Sequence, residues 1–194
     1  MPIYNNKYTF LHIPRTGGTL IEHKLRENHS ESYNGIDSLG LSMQHYTLDN
    51  LISDKDRNNL FIFTFVRNPF DKILSTYLNW SKNNTPDFDK YIDMVKNVVE
   101  NKLYLYKGSI NTNDISHFTP ITVMIGDNKL DFIGKFENYE NDIKKLYEMS
   151  GIKNLNEITI KKRNIDYRTF YSERNKKIIN ELYKDDLKEF NYTF

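Results

Sequence analysis

A chain of 194 residues, 38% hydrophobic and 27% charged, has the length of one domain and enough apolar side chains to bury a core. Its 27 Lys and Arg are balanced by 26 Asp and Glu, which excludes a strongly basic nucleic-acid binder, so any anion site must be built locally from a few placed cations and backbone N–H groups. The absence of cysteine excludes disulfides, thiolate metal sites and cysteine nucleophiles, and no run of 18 apolar residues is present to cross a membrane. The first residues, Met1–Asn6, lack the basic-then-apolar pattern of a signal peptide, so the expectation is a cytoplasmic protein with neither membrane nor nucleic acid as partner.

In chain order, Tyr8–Ile13 is a short run of aromatic and β-branched residues that predicts a buried strand of a parallel sheet. Gly17-Gly18 follows, and then Leu20, Ile21 and Leu25 at helical spacing. A short helix is predicted over Thr47–Ile52. Leu60–Val66 reads as a second buried strand. Asn68 and Pro69 then supply an N-cap and a first helical residue, and Phe70, Ile73, Leu74, Tyr77 and Leu78 form one apolar stripe. Two strand–helix units predict an α/β protein with a mostly parallel sheet, and the absence of linkers or repeats predicts one domain over 1–194.

The remaining elements are shorter. Residues 87–99 place Phe88, Tyr91, Ile92, Val95 and Val99 on one helix face. Lys102–Ser116 is polar and aperiodic and reads as a surface loop. Ile121–Ile125 and Phe132–Ile133 are predicted as short strands extending the sheet. A helix over 139–149 follows Asn138 and stops at Gly151. Lys161–Arg168 is a basic loop, read either as closing over a ligand or as a solvated charge run, and a last helix over 173–184 begins after Ser172.

The most informative stretch is Pro14-Arg15-Thr16-Gly17-Gly18-Thr19-Leu20. A strand that ends in a Gly-Gly turn and enters a helix points several N–H groups and the positive helix end at one spot, and Arg15 adds fixed charge. The alternative is an ordinary strand–helix turn with a surface Arg. The stretch is not a Walker A loop, because the Lys-Ser/Thr pair is missing, nor a Gly-x-Gly-x-x-Gly fingerprint. Arg67 stands at the carboxyl end of the second strand, the edge at which open α/β sheets bind ligands. Ser75 lies two turns into the following helix, so the two are candidates to hold one phosphate. An ion pair with Asp71 is the competing reading for Arg67, and a solvated helix position for Ser75.

Pro14–Thr19, together with Val66-Arg67-Asn68-Pro69-Phe70-Asp71-Lys72-Ile73-Leu74-Ser75-Thr76-Tyr77, resembles the two donor-binding motifs of the PAPS-dependent sulfotransferases. Phe132-Ile133-Gly134-Lys135-Phe136-Glu137-Asn138 is similar to a third family segment. Tyr171, Tyr183, Asp186, Phe190 and Tyr192 are similar to the family's ending. Four matches in order point to the carbohydrate branch (heparan- and chondroitin-type) and to a small member of bacterial or viral type. The resemblance implies a P-loop-like three-layer fold with a central parallel sheet flanked by helices. It also implies 3′-phosphoadenosine-5′-phosphosulfate (PAPS) as sulfuryl donor, PAP as product, and a small-molecule or glycan hydroxyl as acceptor. Residues 14–20 would take the 5′-phosphosulfate, and Arg67 and Ser75 the 3′-phosphate. Arg15 stands where the family usually has a Lys, and Ile121 where a Gln is expected.

Sulfuryl transfer needs stabilisation of charge on the leaving phosphate and a base for the acceptor hydroxyl. Arg15 is the candidate for the first task. His45 is the candidate base, because Met43-Gln44-His45-Tyr46-Thr47-Leu48 resembles a His segment of bacterial relatives; the competing reading is a partly buried His bonded to a backbone carbonyl. Glu22, one turn into the first helix, is the second candidate. His117 resembles a family His that orients substrate, and Arg163 or Arg168 would reach the nucleotide phosphates. His12 is expected to sit behind the loop. His12, His45 and His117 lack metal-ligand spacing, so no metal is expected. The alternatives are a non-catalytic nucleotide- or glycan-binding protein of the same fold, and a P-loop nucleotide kinase-like enzyme.

Overall fold

The computed structural model describes residues 3–4, 6–28, 47–80, 86–105 and 115–194. The elements in chain order are β1 (Ile3–Tyr4), β2 (Tyr8–Leu11), α1 (Gly18–Asn28), α2 (Leu48–Leu51), α3 (Asp54–Arg57), β3 (Phe61–Val66), α4 (Pro69–Trp80) and α5 (Phe88–Glu100). After these come α6 (Ile121–Ile125), β4 (Phe132–Lys135), α7 (Tyr139–Ser150), α8 (Glu173–Leu182) and α9 (Lys184–Glu189). Three-residue 3₁₀ turns occupy Leu103–Leu105 and Ser116–Phe118.

The four strands form one sheet in the order β1-β2-β3-β4. β1 runs antiparallel to β2, while β2–β3 and β3–β4 are parallel, with Tyr8 opposite Phe61 and Val66 opposite Lys135. Residues on both sheet faces, such as Phe10 and Phe63 on one and Thr9, Leu11 and Thr64 on the other, are buried. This is the signature of a parallel sheet covered on both sides. A three-stranded parallel sheet flanked by helices is the P-loop-like α/β architecture that the sequence predicts.

The chain divides into two compact units, residues 1–66 with 124–162 and residues 67–123 with 163–194. The first contains the sheet. Its core packs Phe10, Phe63 and Phe65 against Ile21 and Leu25 of α1 and against Tyr139, Ile143 and Leu146 of α7. α7 ends as expected, with Gly151 in the left-handed region at φ +65°.

The second unit is helical. Phe70 and Ile73 of α4 pack with Tyr91, Ile92 and Val95 of α5 and with Ile179 of α8. Its buried tyrosines carry their hydroxyls to backbone acceptors: Tyr171 donates to the Phe70 carbonyl at 2.8 Å and Tyr183 to the Phe118 carbonyl at 2.7 Å. α4 starts where the sequence places it, with the Asn68 side chain accepting the Phe70 N–H at 3.1 Å.

One predicted strand is a helix. Ile121–Ile125 forms α6 because the buried Asp186 carboxylate accepts the N–H groups of Ile121 and Thr122, at 2.7 and 2.8 Å, and the Thr122 hydroxyl at 2.7 Å. That distant carboxylate satisfies first-turn donors that nothing nearby in sequence could. β4 runs two residues beyond its predicted end, and β2 stops two residues short of Ile13, where the loop begins.

Candidate active site

In the first unit, β2 leads through His12 and Ile13 into residues 14–18 and then α1. Pro14 has a fixed negative φ. Arg15 has φ +66° and Gly17 φ +86°, while Thr16 and Gly18 are negative. Alternation in the sign of φ at the N-terminus of an 11-residue helix is the backbone pattern from which anion-binding concavities are built. Thr16 is buried and its hydroxyl donates to the Ile13 carbonyl at 2.7 Å. The Tyr139 hydroxyl donates to the Gly17 carbonyl at 3.0 Å.

The two glycines are required by contact. A Cβ on Gly17 would lie 2.8 Å from the Tyr139 ring, and one on Gly18 would lie 2.5 Å from His12 Cδ2. Pro14 is buried and Arg15 half-buried, whereas Thr19 and Leu20 are exposed.

Behind the loop, His12 Nδ1 lies 3.1 Å from Glu22 Oε1, both side chains being buried, and Arg26 Nη2 lies 3.7 Å from Glu22 Oε2. The Phe10 ring stacks on the imidazole at 5.7 Å. Burial, with the Glu22 charge adding to it, pushes the nearby Tyr4 hydroxyl up to about 12. Glu22, the second candidate base, is thus engaged by two basic side chains.

In the second unit, Arg67 directly follows β3 and is 8% exposed. Its Nε donates to Asp71 Oδ2 at 2.8 Å, the ion pair that the sequence offers as one reading. Asn68 donates to the Thr193 carbonyl at 2.8 Å and to the Tyr167 hydroxyl at 3.2 Å, which fixes the turn beside Arg67. Ser75 is buried on α4, so it is not the solvated position of the alternative reading.

Lys72, between Arg67 and Ser75 in sequence, is a residue that sequence reasoning missed. It is 1% exposed, and its Nζ donates to the carbonyls of His117 and Thr119, each at 2.9 Å. Burial pulls its pKa down to about 8, against the opposing pull of Asp186. The only signal available was its place in the motif, off the apolar stripe.

His117 is half-buried and its backbone is held by Lys72. Arg163 and Arg168 are exposed; Arg168 lies over the Tyr167 ring at 4.7 Å and pairs with Asp166 at 3.3 Å. His45 lies outside the described residues. Among the described residues, no group of three or more His, Asp or Glu side chains is placed to hold a metal ion.

The first motif lies wholly in the first unit, and the second runs from Val66, the last residue of β3, into α4 of the second unit. A family model described as the sulfotransferase family matches residues 4–193. No match was found among curated proteins or among solved structures. The matched stretch takes in both motifs, the Phe132–Asn138 segment and the C-terminal helices. The chain belongs to the sulfotransferase family, whose members are sulfuryl-transferring enzymes.

Proposed function

We propose that the protein transfers a sulfuryl group from PAPS to a hydroxyl of a carbohydrate acceptor. The observation that carries this reading is the loop at residues 14–18. Its φ values alternate in sign, and it has no room for a side chain at Gly17 or Gly18. That cradle fits an anhydride anion. The carbohydrate class rests on the resemblance of both motifs to that branch of the family.

When bound, the donor supplies a phosphosulfate whose bridging oxygen gains negative charge as its bond to sulfur breaks. The N–H groups of residues 15–18, in the segment Pro14–Leu20, hold the 5′ end, aided by the positive end of α1. Arg15 stabilises the growing charge, an interaction stronger in the transition state than in the ground state. Arg67 and Ser75 take the 3′-phosphate through guanidinium and hydroxyl donors. Arg163 and Arg168 add exposed cations from the 161–168 segment.

His45 accepts the proton of the attacking hydroxyl. It is preferred to Glu22 because the Glu22 carboxylate is buried against His12 and Arg26. His117 orients the acceptor. None of these steps assigns work to a metal ion, since fixed cations supply the electrostatics.

The test is calorimetry with the desulfated product PAP, adenosine 3′,5′-bisphosphate, in the absence of Mg²⁺. Wild type should bind. Arg67→Ala should weaken binding by about 2–4 kcal/mol through loss of charge-assisted contacts, and Ser75→Ala by about 1 kcal/mol. Wild-type affinity in both variants would put the 3′-phosphate elsewhere, and binding that requires Mg²⁺ would favour a kinase-like nucleotide site.

A further inference from the structure

The Phe132–Asn138 segment matches the family without an evident chemical role. Packing inside the first unit supplies one. At Gly134, a Cβ would sit 2.4 Å from the Phe65 ring, so only glycine lets that ring occupy its place. The Phe65 ring in turn lies against Tyr139, with centroids 4.8 Å apart. The Asp142 carboxylate accepts the Lys135 N–H at 2.8 Å and an Asn138 side-chain N–H at 2.9 Å, which fixes the turn from β4 into α7. Tyr139, the first residue of α7, is fully buried, and its hydroxyl reaches the Gly17 carbonyl.

We propose that Tyr139 is a positioning residue for the anion loop: by holding the Gly17 carbonyl, its hydroxyl aims and polarises the Gly18 N–H. Among the described residues every peptide bond is trans, and in a trans peptide the C=O and N–H point in opposite directions. A Gly17 carbonyl fixed toward Tyr139 therefore turns the Gly18 N–H away from it. Gly18 opens α1, so that N–H has no acceptor within the helix. A hydrogen bond to the carbonyl strengthens the same peptide's donor. Burial pushes the Tyr139 hydroxyl far above its ordinary pKa, so it stays a donor in alkaline solution. The Gly134–Asp142 stretch is then the strut that carries this contact. The inference rests on the reading that residues 14–18 hold the 5′-phosphosulfate.

Tyr139→Phe removes the hydroxyl and keeps the ring. Tyr8→Phe is the control, because Tyr8 donates to the Ser150 carbonyl at 2.9 Å, an equivalent bond in the same unit and away from the loop. Both variants should melt slightly below wild type. Tyr139→Phe should bind adenosine 3′,5′-bisphosphate and inorganic pyrophosphate about 3- to 10-fold more weakly, the range for one lost hydrogen bond, whereas Tyr8→Phe should bind both as wild type does. Equal affinities in Tyr139→Phe and wild type would overturn the positioning role.

A measurement on wild type needs no variant. With ¹³Cζ-labelled tyrosine, the Tyr139 resonance should move on addition of either probe and the Tyr8 resonance should stay; an unmoved Tyr139 resonance in the ligand-bound protein would overturn the inference. Binding of pyrophosphate without the bisphosphate would sink the nucleotide reading alone, leaving Tyr139 to be judged with pyrophosphate. Binding of neither would sink both.

Discussion

Arg15 holds φ at +66°, a region that a residue bearing a Cβ enters at a cost of roughly 1–2 kcal/mol. The loop maintains this conformation between the Thr16 hydroxyl on the Ile13 carbonyl and the Tyr139 hydroxyl on the Gly17 carbonyl. Strain of this kind persists where the surroundings over-determine it, and it gathers at functional sites. Arg15→Ala should therefore lower turnover by about 10²-fold or more, as for a lost oxyanion donor, with a smaller effect on product-nucleotide affinity. Arg15→Lys should retain substantial activity, since it keeps the charge in a loop of unchanged shape. Unchanged turnover in Arg15→Ala with much weaker bisphosphate binding would make Arg15 a binding residue only and move the transition-state role to the 161–168 segment. At this scale the sequence was informative about Gly17 and Gly18, where the turn and the helix start are local signals. It was silent on Arg15's left-handed backbone and on the hydroxyl that reaches the Gly17 carbonyl from residue 139, a contact 122 residues away in sequence.

At the scale of the element, α4 shows what a periodic pattern reveals and what it hides. Phe70, Ile73 and Leu74 face the core as their spacing demands, and Asn68 caps the helix as its position demands. Yet Lys72, Ser75 and Thr76 on its other side are buried too, the Thr76 hydroxyl turning back onto the Lys72 carbonyl at 3.0 Å. The Lys72 ammonium serves the His117 and Thr119 carbonyls, and Asp186 serves α6. No local pattern predicts such contacts, which is also why Ile121–Ile125 reads as a strand from its β-branched residues. The depressed Lys72 pKa has a stability consequence. Below pH 8 Lys72 is charged in both states and carries its desolvation cost. Between about 8 and the unfolded value of 10.5 the folded state binds fewer protons, so stability rises with pH. Tyr171 and Tyr183 have raised pKa values, so their contribution is intact below pH 10 and declines only above it. Urea unfolding of wild type minus Lys72→Met should therefore shift in favour of wild type by on the order of 2–3 kcal/mol between pH 7.5 and 10. A difference independent of pH would mean that Lys72 titrates as it does in the unfolded chain.

For the molecule as a whole, each unit has its own core, and the chain passes between units at Val66–Arg67, Val123–Met124 and Lys162–Arg163. The family match, over residues 4–193, runs through both. The fold class was legible because two apolar strands, each followed by a helix start, admit few other arrangements. The candidate donor-binding residues stood out in the sequence because anion recognition uses short contiguous motifs at strand ends. The acceptor was not, because the stretches around Tyr33–His45 and Lys102–His117, the candidates to line its pocket, carry no interpretable pattern, and most of these residues lie outside those described. The most direct test of the central claim is transfer of labelled sulfate from PAPS to a panel of glycan acceptors in the presence of EDTA. Wild type should label at least one glycan, and His45→Ala should lose about 10²–10⁴-fold in rate while binding the bisphosphate normally. Tight bisphosphate binding with no transfer to any hydroxyl acceptor would contradict the account and leave a nucleotide-binding protein on a sulfotransferase fold.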